Sequence, residues 1–283
     1  MATGWEDKYA EYRELWNELP NKQIVSDYPL LVDLETVSVC NLACPMCPTV
    51  SDNYQNIINK GLPPKKSARL MDVELAKKVI NEISGKVFSL RLSLVGEPTM
   101  HKHLIELVKY AKDNGVREVS FLTNGTYMDI EYFEKLALAG VDWITISIDG
   151  INSEYNEIRK PLLFKDTLKK LRDIKSWKEK NKLLKPVIKV QGVWPAIRPN
   201  PSEYYNIISP LVDLVAYNPL IDYLHKDSDV EYVEGFSCPQ LYQRIVVNSN
   251  GSVKMCSNDE HRTVIIGDAH KQTIYEIWHG DRL

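Results

Sequence analysis

Residues 31–47 read LVDLETVSVCNLACPMC, and how they are read decides the architecture of the chain. Leu31, Val32, Leu34, Val37 and Val39 supply the apolar positions of a strand over residues 31–39. That strand runs straight into Cys40-Asn41-Leu42-Ala43-Cys44-Pro45-Met46-Cys47, which places three thiols within eight residues of one loop. Thiols so close together can converge on one metal centre. Cys thiolates hold iron–sulfur clusters, and a 4Fe–4S cluster held by only three of them keeps one iron open to an outside ligand. The alternative is zinc, but a structural zinc is closed by four protein ligands, usually as two separated pairs. Here the fourth ligand would have to be Cys238, Cys256 or a distant His. Disulfides fit less well. The N-terminal residues do not read as a signal peptide, so a cytoplasmic chain with reduced thiols is expected.

The 283 residues are 44% hydrophobic and 26% charged, with a formal net charge of −3. This is the composition of a globular chain with one large domain or a large and a small one. No run approaches the roughly 18 apolar residues of a membrane span, so no membrane is expected as partner. The mild negative charge makes no electrostatic case for nucleic acid. Lys60, Lys65, Lys66 and Arg69 form a local basic group that reads as a solvated loop.

From the N-terminus, Trp5, Tyr9, Tyr12 and Trp16 recur at helical spacing, and Pro20-Asn21 is expected to stop that helix. The helix is expected to pack across one end of the main domain. Past the Cys loop, a polar connection of residues 51–69 precedes a repeating unit. Strands are expected at 87–95, 118–122, 141–148, 186–193 and 211–217. Helices between them start at Asp72 and Asp129 caps and carry apolar faces such as Ala76, Val79, Ile80 and Ile83. With residues 31–39 that makes six strands alternating with helices, the pattern of an α/β fold with a parallel sheet. In such sheets ligands sit at the carboxyl ends of the strands. Those ends carry the Cys loop, Gly96-Glu97-Pro98, Thr123-Asn124, Ser147 with Asp149, and Gln191-Gly192.

A C-x3-C-x2-C loop after the first strand, with Gly-Glu-Pro after the next, resembles the radical S-adenosylmethionine (SAM) superfamily. The resemblance implies a partial (β/α)6 TIM-like barrel. It also implies a 4Fe–4S cluster on Cys40, Cys44 and Cys47 whose open iron is chelated by SAM. An electron from a reduced flavodoxin- or ferredoxin-type donor then breaks the sulfonium C–S bond, and a 5′-deoxyadenosyl radical takes hydrogen from substrate. Gly96, Glu97 and Pro98 resemble the family's GGEP element, with Val95 in place of one glycine, and Glu97 would bind the ammonium of SAM. Ser147 and Asp149 lie in a stretch that contacts the ribose or carboxylate of SAM in similar enzymes. Arg159 resembles an Arg that pairs with that carboxylate, or is a solvated helix residue. Asn124 would hydrogen-bond the cofactor or only form its turn. Gln191 belongs to a degenerate adenine-side motif, and Met46 stands where an aromatic residue often lies against adenine.

Cys238-x12-Gly251-x4-Cys256 resembles the start of the SPASM and twitch extensions of these enzymes, which hold an auxiliary 4Fe–4S cluster. Residues 243–248 and 252–255 read as a hairpin closed by Asn250-Gly251, which brings Cys238 and Cys256 toward each other. No further Cys follows, so the β-hairpin/helix extension is read as truncated, with a full-length chain completing the cluster; Asp259, His261 or His270 are substitute ligands. Asp259 is also a candidate base. The expected division is 1–29 as N-terminal helix and linker, 30–220 as barrel and 221–283 as extension. The resemblance implies oxidation of a small molecule such as an aminosugar or aminocyclitol, or modification of a peptide. A reading of a different class is a non-catalytic iron–sulfur or zinc protein.

Overall fold

The computed structural model describes residues 3–50, 52, 54, 56, 70–220, 233–259 and 261–283. The basic group Lys60, Lys65, Lys66 and Arg69 lies outside the described residues, as do residues 221–232.

Helix α1 spans Glu6–Lys22 and runs through Pro20 instead of stopping there. Proline cannot donate to the carbonyl four residues back, which here belongs to Trp16. The side-chain amide of Gln243 donates to that carbonyl at 2.6 Å in its place, so the helix continues to Gln23, whose left-handed backbone (φ 54°) closes it. The aromatic stripe packs as expected: Tyr12 stacks on Phe88 with ring centroids 5.1 Å apart.

The remaining elements alternate. They are β1 (Leu31–Leu34), α2 (Val73–Ile83), β2 (Ser89–Arg91), α3 (Leu104–Asp113), β3 (Glu118–Thr123), α4 (Ile130–Leu138) and β4 (Trp143–Ser147). Two helices, α5 (Asn152–Ile158) and α6 (Phe164–Lys180), precede β5 (Val187–Val193). Then come α7 (Trp194–Ile197), α8 (Pro201–Ile208) and β6 (Leu214–Asn218), followed by β7 (Arg244–Val247), β8 (Ser252–Lys254), β9 (Ile265–Asp268) and α9 (Ile274–Trp278). Asp72 caps α2 through Glu74 N and Leu75 N, and Asp129 caps α4 through Tyr132 N.

One nine-stranded sheet runs β6-β5-β4-β3-β2-β1-β7-β8-β9. Strands β1 to β6 pair in parallel in chain order, which is the connectivity of a partial (β/α)6 barrel. Two strands are shorter than their apolar runs. Beyond Leu34 the chain leaves the ladder, and Thr36 Oγ1 donates to Leu92 O while Val37 bridges Leu70. Beyond Arg91, Leu122 N donates to the Ser93 hydroxyl, so a side chain takes over from the backbone.

Along each strand one face is apolar and packs under the helices, with Leu90, Val119, Ile144, Ile146, Ile188 and Val190 against α2, α3, α4 and α6. The other face is polar and looks into the barrel: Arg91, Ser120, Thr145, Lys189 and Gln191 border a cavity of about 370 Å³. Helix α1 closes its lower end with Tyr9, Tyr12 and Arg13.

The expected hairpin is present as antiparallel β7 and β8, and β7 adds in parallel to the free side of β1 through Leu31↔Arg244 to Leu34↔Val247. Helix α9 begins with a Thr273/Glu276 capping box, and Trp278 Nε1 donates to Ser26 O at 2.8 Å.

Candidate active site and auxiliary-cluster region

The Cys loop leaves β1 at the carboxyl rim of the barrel. Its three thiols are free and border one cavity of about 280 Å³. Met46, Gly96, Glu97, Asn124, Ser147 and Arg159 border the same cavity. Four strand ends, β1 to β4, thus deliver their sequence-predicted residues to one place, and Val193 joins them from the end of β5. Pro98 starts the 3-10 turn Pro98–Met100 just beyond, while Asp149 and Gln191 stand one contact away.

The loop is held from several sides. Cys47 N donates to Cys44 O at 2.9 Å, and the Cys47 thiol meets the Thr49 hydroxyl at 2.9 Å. Asn124 forms the turn foreseen for it and also reaches the Cys loop. Its Oδ1 accepts from Thr126 N and Oγ1, forming the turn, while its Nδ2 donates to Asn41 Oδ1 at 2.8 Å and to Cys40 Sγ at 3.4 Å. Burial pushes the Cys40 and Cys44 thiols up, and Arg159 opposes the shift at Cys44. Ligation would have to supply the thiolate form there.

Gly96 is the hinge between this loop and its neighbour. A Cβ on Gly96 would lie 2.3 Å from Val37 O and 2.6 Å from Val39 O. Only with no side chain does Glu97 N reach Val39 O at 2.8 Å. The Glu97 carboxylate, 1% exposed, is already heavily bonded. Its Oε1 accepts from Thr99 N, Thr99 Oγ1 and Thr123 Oγ1, and its Oε2 accepts from Asn124 N at 2.6 Å. Remaining acceptor capacity therefore lies on Oε2.

Arg159 is not a solvated helix residue. It follows α5 and its side chain is 14% exposed, with Nε and Nη2 on Asp149 Oδ2 at 2.7 and 2.5 Å. Asp149 Oδ1 accepts from Val193 N at 2.8 Å. Asp149 thus fixes the cation and the end of β5 together. Sequence reasoning singled out both residues and missed that they pair, because ten positions of chain separate them.

The donor set suits the expected group. Three thiols border the cavity together with carboxylate, amide, hydroxyl and guanidinium groups. Among the described residues no three His, Cys, Asp or Glu side chains are arranged to hold a single metal ion. One zinc would need its sulfurs about 2.3 Å from a common point, whereas three thiolates on different irons of a cluster stand further apart.

Residues 34–178 match the model of the radical SAM superfamily. The chain belongs to this superfamily. Its cofactors are accordingly a 4Fe–4S cluster and SAM. Residues 238–283 match SPASM, an iron–sulfur cluster-binding domain, which carries an auxiliary cluster. Among curated relatives, the AdoMet-dependent heme synthase of Methanosarcina barkeri is 31% identical over 133 residues, 47% of this chain and 35% of that protein. The mycofactocin maturase MftC of Mycolicibacterium smegmatis is 33% identical over 132 residues, 46% of this chain and 30% of that one. The chain spans about a third of the length of these relatives. Streptococcus suis SuiB bound to precursor peptide SuiA has the same fold, with a TM-score of 0.62 at 14% identity over 99% of this chain and 71% of SuiB. The radical SAM barrel and SPASM extension are therefore established for this chain.

The SPASM residues lie away from the cavity. Cys238 precedes the 3-10 turn Pro239–Tyr242, and Cys256 follows β8. Gln240 links the two stretches: its Oε1 accepts from Ser257 Oγ at 2.9 Å and lies 4.0 Å from Cys256 Sγ. Asp259 closes its own turn. It accepts from Thr263 N, Thr263 Oγ1 and Val264 N, and despite the burial that works against it these bonds keep its carboxyl below the usual range. A carboxylate so occupied, outside the cavity lining, is placed as a loop staple and not beside the thiols. Lys254, 1% exposed, donates to Asp259 O at 2.8 Å.

No helix among the described residues is long and apolar enough to cross a membrane.

Proposed function

We propose that this radical SAM enzyme cleaves SAM in the Cys40–Cys47 cavity and takes hydrogen from a compact small molecule seated in the barrel below. The observation that carries this reading is that two cavities adjoin at one residue. Leu122 borders both the thiol-lined space and the polar lumen, which is closed below by α1. Lumen and cofactor cavity lie along the same strands, as a radical source and its target must.

In this reading Cys40, Cys44 and Cys47 hold the cluster. Glu97 turns the open side of Oε2 to the SAM ammonium, and Arg159, fixed by Asp149, pairs with the SAM carboxylate. Ser147 and Gln191 contact the nucleoside side, and Met46 gives adenine an apolar, polarizable surface. The bound cofactors supply one-electron cleavage of a C–S bond and hydrogen-atom abstraction; the chain supplies placement and a closed space. Residues 30–220 form the catalytic unit behind the helix and linker of 1–29, and residues 221–283 hold the auxiliary cluster with Cys238 and Cys256. A flavodoxin- or ferredoxin-type protein supplies the electron, and the cytoplasm keeps the thiols reduced.

The test is anaerobic reconstitution with iron and sulfide, reduction with dithionite, and measurement of 5′-deoxyadenosine. Cys40→Ala, Cys44→Ala and Cys47→Ala are each expected to abolish its formation. Wild-type amounts from the triple variant would remove the assignment, and a non-catalytic binding protein would form none in any version. A second reading, peptide modification, is favoured by the fold shared with SuiB and by the likeness to a maturase. Hydrogen loss from a supplied precursor peptide, measured by mass, would select it.

A further inference from the structure

The lumen below the cofactor cavity carries a charge arrangement that the SAM site does not use. Lys189 projects into it from β5, with its ammonium 2.6 Å from Gln191 Oε1. No carboxylate pairs with Lys189 among the described residues. Arg91 projects into the same lumen from β2, and its Nε lies 2.7 Å from Asp33 Oδ1. Asp33 is shared, because Arg244 Nη1 approaches its other oxygen at 3.5 Å. Arg13 enters from α1. Against these cations the lumen lining sets Glu118, which accepts from Ser89 Oγ at 2.8 Å, while Asp33 is fully buried behind Arg91 and does not border the space.

Lys189, Arg91 and Arg13 thus face one ligand-sized space, and the carboxylate that borders it, Glu118, is already bonded to Ser89. The protein interior penalises a cation that lacks a counter-charge. Lys189 registers the penalty: burial, and then the charge of Arg91, pull its pKa down. The paired position on β4 is Thr145, which could be matched by an uncharged residue at no electrostatic cost.

We propose that Lys189 and Arg91 form an anion-recognition site in the barrel lumen, and that the substrate is a compact molecule bearing a carboxylate or phosphate group. This rests on the small-molecule reading above and narrows it. The cavity, about 370 Å³, is of ligand size. The register places the anion relative to the chemistry. Gln191 and its partner Ser147 stand two residues further along the strands, roughly 7 Å higher at about 3.3 Å per residue. Because the Lys189 ammonium reaches the Gln191 side chain, an anionic group held there lies between the levels of Lys189 and Ser147, and the rest of a small molecule extends toward the cofactor cavity. The same charges disfavour an amine-bearing sugar or cyclitol with no acidic group.

The test uses reconstituted protein without SAM or reductant, so that its outcome is independent of catalysis. Inorganic phosphate and succinate are titrated at constant ionic strength set with chloride, and the melting temperature is followed. Glucosamine is the cationic comparison. Saturable stabilisation by phosphate or succinate is expected, and which of the two binds more tightly separates a phosphate from a carboxylate substrate. Binding should weaken at least tenfold in Lys189→Gln and in Arg91→Gln, and remain in Lys189→Arg. Should the Gln variants fail to fold, Thr145→Asp gives the same information, since it sets a carboxylate beside Lys189 and should abolish the effect. The surface change Lys169→Gln should leave it intact. Absence of saturable stabilisation by both anions would overturn the proposal. So would anion binding indifferent to Lys189→Gln, Arg91→Gln and Thr145→Asp, or stabilisation by glucosamine alone. Failure of the SAM reading shows separately, as absence of 5′-deoxyadenosine from the wild-type protein.

Discussion

Asn124 shows how much one side chain decides at this rim. Its amide donates toward Cys40 Sγ while its carbonyl oxygen closes the turn at Thr126. Hydrogen bonds to cluster sulfurs stabilise the reduced, more negative state and raise its potential. Asn124→Ala should therefore lower the midpoint potential of the reconstituted cluster. Loss of one bond worth roughly 1 kcal/mol corresponds to a few tens of millivolts, readable by a redox titration followed by electron paramagnetic resonance. An unchanged potential would reduce Asn124 to a turn residue. The sequence made Cys40, Cys44, Cys47, Gly96 and Glu97 legible as site residues because their meaning lies in spacings of a few positions. The donors that Thr123 and Asn124 bring to Glu97, and the hold of Asp149 on Val193, were not legible, because these partners meet only when neighbouring strands lie side by side.

Elements meet at two kinds of junction. The first is backbone against backbone, at Gly96. Gly96→Ala would force the residues after β2 away from Val37 O and Val39 O, moving Glu97 and the Cys loop apart. SAM affinity should fall by tenfold or more, as measured by equilibrium dialysis, while the far-ultraviolet circular dichroism stays the same. The second is a buried ion pair between barrel and extension. Glu35, fully buried just past β1, accepts from Arg262 Nη2 at 2.8 Å and from Ser249 N at 2.9 Å. Arg262→Ala would leave that carboxylate buried and unpaired, a change that costs about 3–5 kcal/mol. The double variant Arg262→Ala/Glu35→Gln should recover much of the loss in denaturant titrations, and additivity of the two changes would show that no coupling exists. Helix boundaries set by Asp72 and Asp129 were readable from local capping chemistry. The passage of α1 through Pro20 was not, since the donor that permits it, Gln243, is more than two hundred positions away.

For the molecule as a whole, the polar barrel interior has a measurable cost. Burial holds the Glu118 carboxyl above its usual 4.5, so the folded state binds the proton more tightly than the unfolded chain. Below pH 4.5 both states are protonated and the group is neutral in its effect. As pH rises past that value the unfolded chain ionises first, and stability falls until the folded carboxyl ionises too. In Glu118→Gln this loss is absent, so the melting temperature of the variant relative to wild type should climb from about pH 4.5 upward and then level off; a constant difference would show that Glu118 is not perturbed. The same sheet also orders events in time. Strand β1, buried at all four positions, has β2 on one side and β7 on the other. A ribosome adds about 5–20 residues per second, so at least about ten seconds separate the emergence of Leu34 from that of Val247, its partner across the ladder. Throughout that interval the central strand of the nascent barrel presents an apolar, unpaired edge, and synthesis speed and chaperone supply, more than final stability, will govern how much of this protein a host cell recovers.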